Sequence, residues 1–287
     1  MSKAISFNSV TKQYSEFTLD KVSFDIPKGF ITGFIGPNGS GKTTSIKSLL
    51  SLINPDSGLI KVFNKDIKYS KDYLQEIGIV MDESFLVKDW LVKDISKSFS
   101  MFYTSWDDMT FTKYLKQFLI PKNIKIKELS RGMAVKLMLA IALSHDTKIL
   151  VLDEPTSGLD PSAREEICEI LQEYVEDDNR TVFFSTHITA DLESIADYIV
   201  FLIDGNIVYS GTKDGLIERY VLIKGGLKDL EFLDNTKLIG MKKGSTFFEA
   251  IIDKNLIRKN DKLVIEPASL EKLIIFFNRG AKHEKNK

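Results

Sequence analysis

The chain of 287 residues is 43% hydrophobic and 28% charged, enough for one large domain or for a large domain and a small one. Its formal net charge of -1 excludes a broadly basic, nucleic-acid-binding surface, and the one cysteine, Cys168, excludes an internal disulfide. No apolar run is long enough to span a bilayer, and residues 1–10 lack the apolar core of a secretory signal, so we expect a cytosolic protein.

Extended segments open the chain. The alternating residues 5–10 and 22–27 predict two strands, and the apolar residues 31–36 predict a third. The third strand runs directly into a glycine-rich loop, after which residues 45–53 predict a helix. A strand, a glycine-rich loop and a helix in this order are typical of an anion site at a helix N-terminus.

Buried strands and helices alternate in the middle of the chain. Residues 148–155 and 181–187 predict buried strands, and residues 164–178 between them predict a helix with apolar side chains on one face. Residues 198–211 predict a hairpin with Asp204 and Gly205 near its turn. This alternation predicts an α/β fold with a largely parallel sheet.

The pattern changes near Val221, where a Gly-Gly pair follows and the earlier motifs stop. We therefore predict a main domain over residues 1–220 and a small α+β domain over residues 221–287. Short strands and a terminal helix are expected in the small domain. Two roles stay open for it: an accessory unit packed against the main domain, or an element that stabilises a dimer or regulates the protein.

The glycine-rich loop matches the pattern G-x-x-x-x-G-K-[ST] at every position. Its glycines let the backbone wrap around an anion, Lys42 can reach the β- and γ-phosphates of a nucleoside triphosphate, and the Thr43 hydroxyl can bind Mg²⁺. The predicted phosphate-binding residues are Gly36, Pro37, Asn38, Gly39, Ser40, Gly41, Lys42, Thr43 and Thr44. The loop alone leaves kinases, GTPases, helicases and transport ATPases open.

Two carboxylates, Asp153 and Glu154, end the buried strand over residues 148–155. Burying a charge is costly, so adjacent acids at the end of an apolar strand indicate a function. Asp153 is placed to hold the Mg²⁺ shell, and Glu154 to accept a proton from an attacking water. The alternative is a pair of exposed acids at a strand end.

Three further motifs carry a resemblance to ABC ATPases. LSRGM at residues 129–133 resembles their LSGGQ signature, SGLD at residues 157–160 resembles their D-loop, and STH at residues 185–187 resembles their switch histidine. Tyr14 lies where that family places an aromatic ring on adenine. In this order the motifs are highly specific, and the resemblance covers residues 5 to 220, about three quarters of the chain.

A narrower resemblance rests on MFYTSWDD at residues 101–108, FFSTHITADLESIADYI at residues 183–199 and IEPASLEKLIIFFNRG at residues 265–280. These stretches are similar to the YtrB-like ATP-binding subunits of bacterial ABC-2-type exporters. In size the chain also resembles the ATPase subunits of the staphylococcal phenol-soluble modulin exporter. The resemblance implies an ATPase on the cytoplasmic face of the bacterial membrane that drives a separate transmembrane permease.

The family also implies a dimer that encloses two Mg-ATP molecules, with each ATP held by the phosphate loop of one chain and the signature of the other. Ser130 and the Gly132 amide would bind the opposing γ-phosphate. Asp160 would lie along the interface, and His187 would contact the γ-phosphate near the catalytic Glu154. Both a homodimer and a heterodimer with a paralogue stay open.

The family implies a helical subdomain over about residues 83–140 and, within the aromatic-rich residues 82–129, a groove for a coupling helix of the permease. Phe99, Phe102, Tyr103 and Trp106 are the candidates to line this groove. For each ring, the alternative is the small core of the subdomain itself.

The chain departs from the family pattern at Asp82, where a Gln contacting Mg²⁺ is expected. A carboxylate is a suitable oxygen ligand, so we predict that Asp82 replaces the Gln at the metal. In the signature, Arg131 replaces a Gly and Met133 replaces the Gln, while Ser130 and Gly132 are retained.

Three other functions compete with an exporter subunit. A soluble ABC ATPase of translation usually carries two such domains, and repair ATPases insert a long coiled coil where this chain has roughly 90 residues without heptads. A non-catalytic ATP switch is disfavoured by Glu154 and His187. An importer subunit stays open, because the direction of transport is not encoded in the ATPase chemistry.

Overall fold

The computed structural model describes residues 2–82, 85–257 and 263–285. The first of its sheets is antiparallel. The strand order of this sheet is β2-β1-β4-β5. Its strands are β1 (Lys3–Gln13), β2 (Thr18–Pro27), β4 (Ser57–Val62) and β5 (Lys65–Asp66). Side chains alternate between buried and exposed along β2, so only one face of this sheet is covered.

The second sheet has the order β10-β9-β3-β8-β7-β6 and carries the phosphate loop. Its strands are β3 (Ile31–Ile35), β6 (Ile77–Val80), β7 (Ile149–Asp153), β8 (Thr181–Thr186), β9 (Tyr198–Ile203) and β10 (Asn206–Thr212). Among the strands described in this sheet, β9 and β10 pair antiparallel and the other neighbours pair parallel. Every residue of β3, β7 and β8 is buried, because helices cover one face and the first sheet covers the other.

Helices follow the strands of the second sheet and fill the segment between β6 and β7. They are α1 (Lys42–Leu49), α2 (Asp94–Phe99), α3 (Asp108–Gln117), α4 (Arg131–Ala142), α5 (Pro161–Val175), α6 (Thr189–Ile195) and α7 (Lys213–Arg219). Single turns of 3₁₀ helix lie at Asp72–Glu76 and Ile126–Glu128. Among the described helices, each is too short or too polar to cross a membrane.

A third sheet, antiparallel with the order β12-β13-β11-β14, forms the C-terminal part. Its strands are β11 (Tyr220–Gly226), β12 (Leu238–Lys243), β13 (Phe247–Asp253) and β14 (Val264–Pro267), and helix α8 (Leu270–Lys285) follows. The ring of Phe277 on α8 lies 5.4 Å from that of Phe201 on β9 and 5.2 Å from that of Tyr220. Helix α8 therefore packs against the core of the second sheet.

Aromatic rings fill the space between the first two sheets. Phe7 and Phe24 stack at 4.4 Å, and Phe34 and Phe183 of the second sheet lie 5.3 Å apart beside them. Large rings in offset or tilted contact bury much apolar area, so this layer packs the inner strands β3 and β8 of the second sheet against the first sheet.

The predicted α/β class is confirmed, and the hairpin turns at Asp204 and Gly205, both with positive φ. The local patterns did not predict the pairing of β1 with β4, and helix α4 was expected only through the family resemblance, which implies a helical subdomain over about residues 83–140. Helix α4 is buried on most sides, so it lacks the one-sided apolar pattern that marks an amphipathic helix. The division at residue 220 stays a prediction, although β11 begins there.

Candidate nucleotide-binding site

The phosphate loop joins β3 to α1, and its lysine is held inward. The Lys42 ammonium is buried and donates to the Gly36 carbonyl oxygen at 2.8 Å. Gly41 has φ +109°, and a Cβ there would lie 2.7 Å from the Phe17 ring, so both conformation and space require glycine. The loop therefore presents a cation and backbone amides at the start of a helix.

Thr43, Asp153 and Ser185 form a chain of hydrogen bonds across three elements. The Thr43 hydroxyl donates to Asp153 Oδ2 at 2.8 Å, and the Ser185 hydroxyl donates to Asp153 Oδ1 at 2.6 Å. A hydroxyl and a carboxylate side by side are oxygen ligands of the kind that Mg²⁺ uses while it keeps several waters. Thr43 and Asp153 thus fit the predicted metal position.

Glu154 lies between a cation and an imidazole. Its Oε1 is 3.3 Å from Lys42 Nζ, and its Oε2 is 2.6 Å from His187 Nδ1. The backbone of Glu154 is left-handed, with φ 51°, and its amide donates to the Ser185 hydroxyl at 3.0 Å. A non-glycine residue in this region is strained, and such strain persists where the surrounding contacts determine the conformation.

These groups share one open cleft of about 530 Å³. Its lining residues are Tyr14, Phe17, Asn38, Gly39, Gly41, Lys42, Thr43, Thr44, Asp82, Glu154, Ser157 and His187. The Tyr14 ring is partly exposed, with Phe17 beside it and the Lys12 ammonium 5.9 Å from its centroid. A flat ring at the mouth of a phosphate-binding cleft can stack on a base.

Ser130 and Gly132 of the signature and Asp160 of the D-loop lie outside the lining of this cleft, although Ser157, the first D-loop residue, lines it. Ser130 caps α4 by accepting from the Met133 amide at 3.3 Å, and Asp160 caps α5 by accepting from the Ala163 amide at 3.0 Å. A Cβ on Gly132 would meet only Leu159 and Ala163, at 3.8 Å or more. Within the described chain, Ser130, Gly132 and Asp160 do not contact the phosphate loop.

Asp82 lines the cleft, but its carboxylate is ion-paired with the Arg131 guanidinium of the signature. Both side chains are about half exposed. The side chain of Arg131 also lies beside Gly158 of the D-loop. A Cβ added to Gly158 would lie 3.4 Å from Arg131 Nε. Sequence reasoning gave Asp82 a metal role and did not predict this pair, which spans 49 positions.

Comparison with known proteins gives the family. A family model described as ABC transporter matches residues 19–157. The lantibiotic transport ATP-binding protein SrtF of Streptococcus pyogenes is 33% identical over 214 residues, which is 74% of this chain and 92% of SrtF. The chain belongs to the ABC transporter ATP-binding proteins.

Other members of this family show the same extent of similarity. The Nod factor export ATP-binding protein I of Burkholderia orbicola is 33% identical over 224 residues, and the bacitracin transport ATP-binding protein BcrA of Bacillus licheniformis is 30% identical over 223 residues. Each match covers 76% of this chain and 73% of the relative.

Solved structures agree on the fold. CbiO1 from Clostridium perfringens, part of the ABC transporter complex cbiONQ, is 26% identical, has a TM-score of 0.63 and covers 74% of this chain and 89% of its own. The dimeric cassette MJ0796 has a TM-score of 0.66 at 24% identity, and the match covers 72% of this chain and 98% of the MJ0796 chain. The chain thus has the fold of an ABC cassette, and as a member of this family it is an ATPase.

A second cavity of about 750 Å³ opens beside the nucleotide cleft of this ABC ATPase. Thr43, Asp82 and Asp153 also line it, and its other walls are mostly apolar. Those walls are Lys47, Leu50, Leu52, Leu74, Gln75, Ile79, Met81, Phe85, Phe102 and Tyr103. We call this cavity the apolar groove.

Two of the four predicted groove rings line it. Phe102 and Tyr103 face the apolar groove, and Phe102 is 70% exposed. Phe99 and Trp106 pack instead against the buried core, with ring centroids 5.9 Å apart. The alternative reading, a ring in the subdomain core, therefore describes Phe99 and Trp106.

Sequence reasoning missed several residues that shape this ABC ATPase site. The motifs assign no role to Ser185, although it belongs to STH, and they do not indicate Phe17 beside Tyr14. A buried acid on α6, Asp191, also received no role, although its side chain contacts the segments that follow β7 and β8. An acid directly after an Ile-Thr-Ala stretch carries no local signal, so only tertiary contacts identify it.

Proposed function

We propose that this chain is the ATP-hydrolysing subunit of a bacterial ABC exporter. It binds Mg-ATP in the nucleotide cleft, pairs with a second cassette and drives a separate transmembrane permease from the cytoplasmic face of the membrane. The observation that carries the proposal is the placement of Glu154, which contacts Lys42 on one side and His187 on the other. A carboxylate in that position can act as a base on water beside a phosphate.

In this mechanism Lys42 changes partner when ATP binds. Its ammonium lies 3.3 Å from Glu154 and 2.8 Å from the Gly36 oxygen, at the entrance of the phosphate loop. A triphosphate offers a stronger counter-charge than one carboxylate, so Lys42 turns to the phosphates and frees Glu154. Glu154 then accepts the proton of the attacking water, while His187 orients that water or contacts the γ-phosphate.

Thr43 and Asp153 would hold Mg²⁺, and the ion would neutralise negative charge on the β- and γ-phosphates. The hydrogen bond from Ser185 to Asp153 fixes the second carboxylate oxygen, so the first oxygen stays directed at Thr43. Asp82 is proposed as a further contributor at the metal when its pair with Arg131 opens.

A second cassette would complete the site. Ser130, Gly132 and Asp160 are separated from the phosphate loop of their own chain, and Ser130 presents a helix N-terminus. A partner cassette that lays its signature over the cleft would supply the amides and hydroxyl that the γ-phosphate needs. The cassette MJ0796, of the same fold, is described as dimeric, which supports this arrangement.

The apolar groove is proposed to receive a coupling helix of the permease. It adjoins the cleft through Thr43 and Asp82, so a helix seated there would move with the nucleotide. The named relatives serve lantibiotic, Nod factor and bacitracin transport, which supports export. The narrower proposal for the cargo is an amphipathic peptide of the phenol-soluble modulin kind.

The test is Glu154→Gln, with Glu165→Gln on the exposed face of α5 as a matched control. We expect Glu154→Gln to lower ATP hydrolysis about 100-fold or more while ATP still binds, because only the base is lost. Tagged Glu154→Gln in the source cell should co-purify with a multi-spanning membrane protein. Recovery with ribosomes or DNA would overturn the transporter assignment, and unchanged hydrolysis would overturn the role of Glu154.

A further inference from the structure

We propose that Asp191 is a positioning residue. It keeps the loop that bears Glu154 and the loop that bears His187 in a fixed position relative to each other. The inference rests on the proposed function, since it takes Glu154 and His187 as the groups that act on ATP. Asp191 lies in the first turn of α6 and is 3% exposed.

The two oxygens of the Asp191 carboxylate have different partners. The hydroxyl of Thr156 donates to Oδ2 at 2.6 Å, and the hydroxyl of Thr186 approaches the same oxygen at 3.4 Å. The guanidinium of Arg164 on α5 donates to Oδ1 at 2.7 Å. One buried carboxylate therefore contacts the connection after β7, the end of β8 and the helix α5.

Each hydroxyl contact lies close to a group that acts on ATP. Thr156 is two residues from Glu154, and its carbonyl oxygen accepts from the Leu159 amide in the same tight connection. Thr186 directly precedes His187, and its hydroxyl also accepts from the Ile188 amide at 3.0 Å. Through these contacts Asp191 limits how far the two loops can separate.

In the cleft, the contact that this restraint would maintain is the one between Glu154 and His187. Glu154 and His187 meet at 2.6 Å, but His187 is half exposed and Glu154 has a strained backbone. An exposed contact at the end of two loops is easily lost unless the loops are fixed behind it. Thr156 and Thr186, both buried, supply that support from the opposite side.

A charge is needed at Asp191 because Arg164 is its ionic partner in a buried site. Removing one member of such a pair leaves the other uncompensated, and the loops then lose a shared anchor. A misplacement of reacting groups by an ångström lowers the rate of the chemical step more than it weakens substrate binding. The expected signature is therefore a fall in kcat with little change in KM.

The test compares Thr156→Val and Asp191→Asn with Thr181→Val in the full chain. Thr181 is a matched control, because it is also buried and its hydroxyl also forms one hydrogen bond, with the Gly29 amide, but at the opposite end of β8. We expect Thr156→Val and Asp191→Asn to lower kcat for ATP hydrolysis about tenfold or more, with KM changed by no more than about twofold. Thr181→Val should leave both constants near wild type.

A double substitution separates positioning from general destabilisation. In the Glu154→Gln background, adding Thr156→Val should cause no further loss, because the group that it positions is already gone. Equal kcat in Thr156→Val, Asp191→Asn and Thr181→Val would overturn the inference. If Asp191→Asn fails to fold, Thr156→Val, which keeps the side-chain volume, decides alone.

The same assay distinguishes this inference from the proposed function. Full hydrolysis by Glu154→Gln would overturn the proposed function itself. Loss of hydrolysis in Glu154→Gln together with wild-type kcat in Thr156→Val and Asp191→Asn would overturn only the role of Asp191.

Discussion

The nucleotide cleft and the aromatic segment, which we define as residues 99–106, are held in opposite ways. In the cleft, Lys42, Glu154 and His187 contact one another through charged groups at the edge of a buried sheet. In the aromatic segment, Met101 and Phe102 are largely exposed. The groups proposed to act on ATP are fixed within the chain, while apolar side chains beside them are exposed.

Few polar contacts attach the aromatic segment to the sheet. The side-chain amide of Gln75 donates to the Phe102 carbonyl at 2.8 Å and accepts from the Thr104 amide at 3.1 Å. The Tyr103 ring stacks on His145 at 3.8 Å.

The Asp146 amide also donates to the Ser105 hydroxyl at 2.9 Å, and Phe99 and Trp106 pack against the buried core. Between these anchors Met101 and Phe102 stay exposed, so this part of the segment suits contact with a partner, whereas the cleft suits chemistry.

The largest expected effect is in the cleft. Lys42→Met should weaken ATP binding about 10- to 100-fold, because a hydrogen bond to a charged group is lost at the phosphates. Lys47→Met on the same helix is the control, since Lys47 is exposed and lines the apolar groove. Binding is measured by equilibrium titration with a fluorescent ATP analogue. Equal affinity in the two variants would contradict the assignment of the cleft.

The attachment of the aromatic segment should depend on pH. Burial lowers the pKa of His145 from the ordinary histidine value of 6.5 to about 4. Between these two values the unfolded chain binds a proton that the folded chain does not, so stability falls as the pH falls from 6.5. The loss should reach about 2 kcal/mol by pH 5.

Urea unfolding at several pH values measures this slope. His145→Phe keeps a ring on Tyr103 and should flatten the dependence. The same slope in wild type and His145→Phe would mean that another group titrates with folding.

A smaller effect is expected at the signature. Ser130→Ala removes the cap of α4 and should cost about 1 kcal/mol of stability. Thr212→Ala removes the cap of α7 and should cost a similar amount. Only Ser130→Ala should also lower hydrolysis, because its hydroxyl is proposed to bind the γ-phosphate in a partner's cleft. Equal hydrolysis by the two variants would limit Ser130 to capping.

The smallest effect on stability is expected at Asp82, where cleft and groove adjoin. Its ion pair with Arg131 is half exposed, so Asp82→Asn should change stability by less than about 1 kcal/mol. If Asp82 serves the metal, Asp82→Asn should raise the Mg²⁺ concentration needed for half-maximal hydrolysis, and Arg131→Gln should not. A parallel rise in both variants would assign the effect to the pair.

Local patterns predicted the parts of the site that are contiguous in the chain. The phosphate loop and the acids after β7 each follow an apolar strand, and sequence spacing alone brings their residues together. The contacts that join distant segments carried no such signal. Asp82 and Arg131 are 49 positions apart, and Thr156 and Asp191 are 35 positions apart, so only the packing of α4, α5 and α6 brings them together.

The left-handed backbone at Glu154 places stability and activity in conflict at one position. Glycine adopts φ 51° without the clash that a Cβ introduces, so a glycine there would relieve the strain. In a library of variants selected only for resistance to heat, glycine should therefore replace Glu154 more often. A library selected for ATP turnover should retain the carboxylate, and the same residue would be scored as a defect in one experiment and as indispensable in the other.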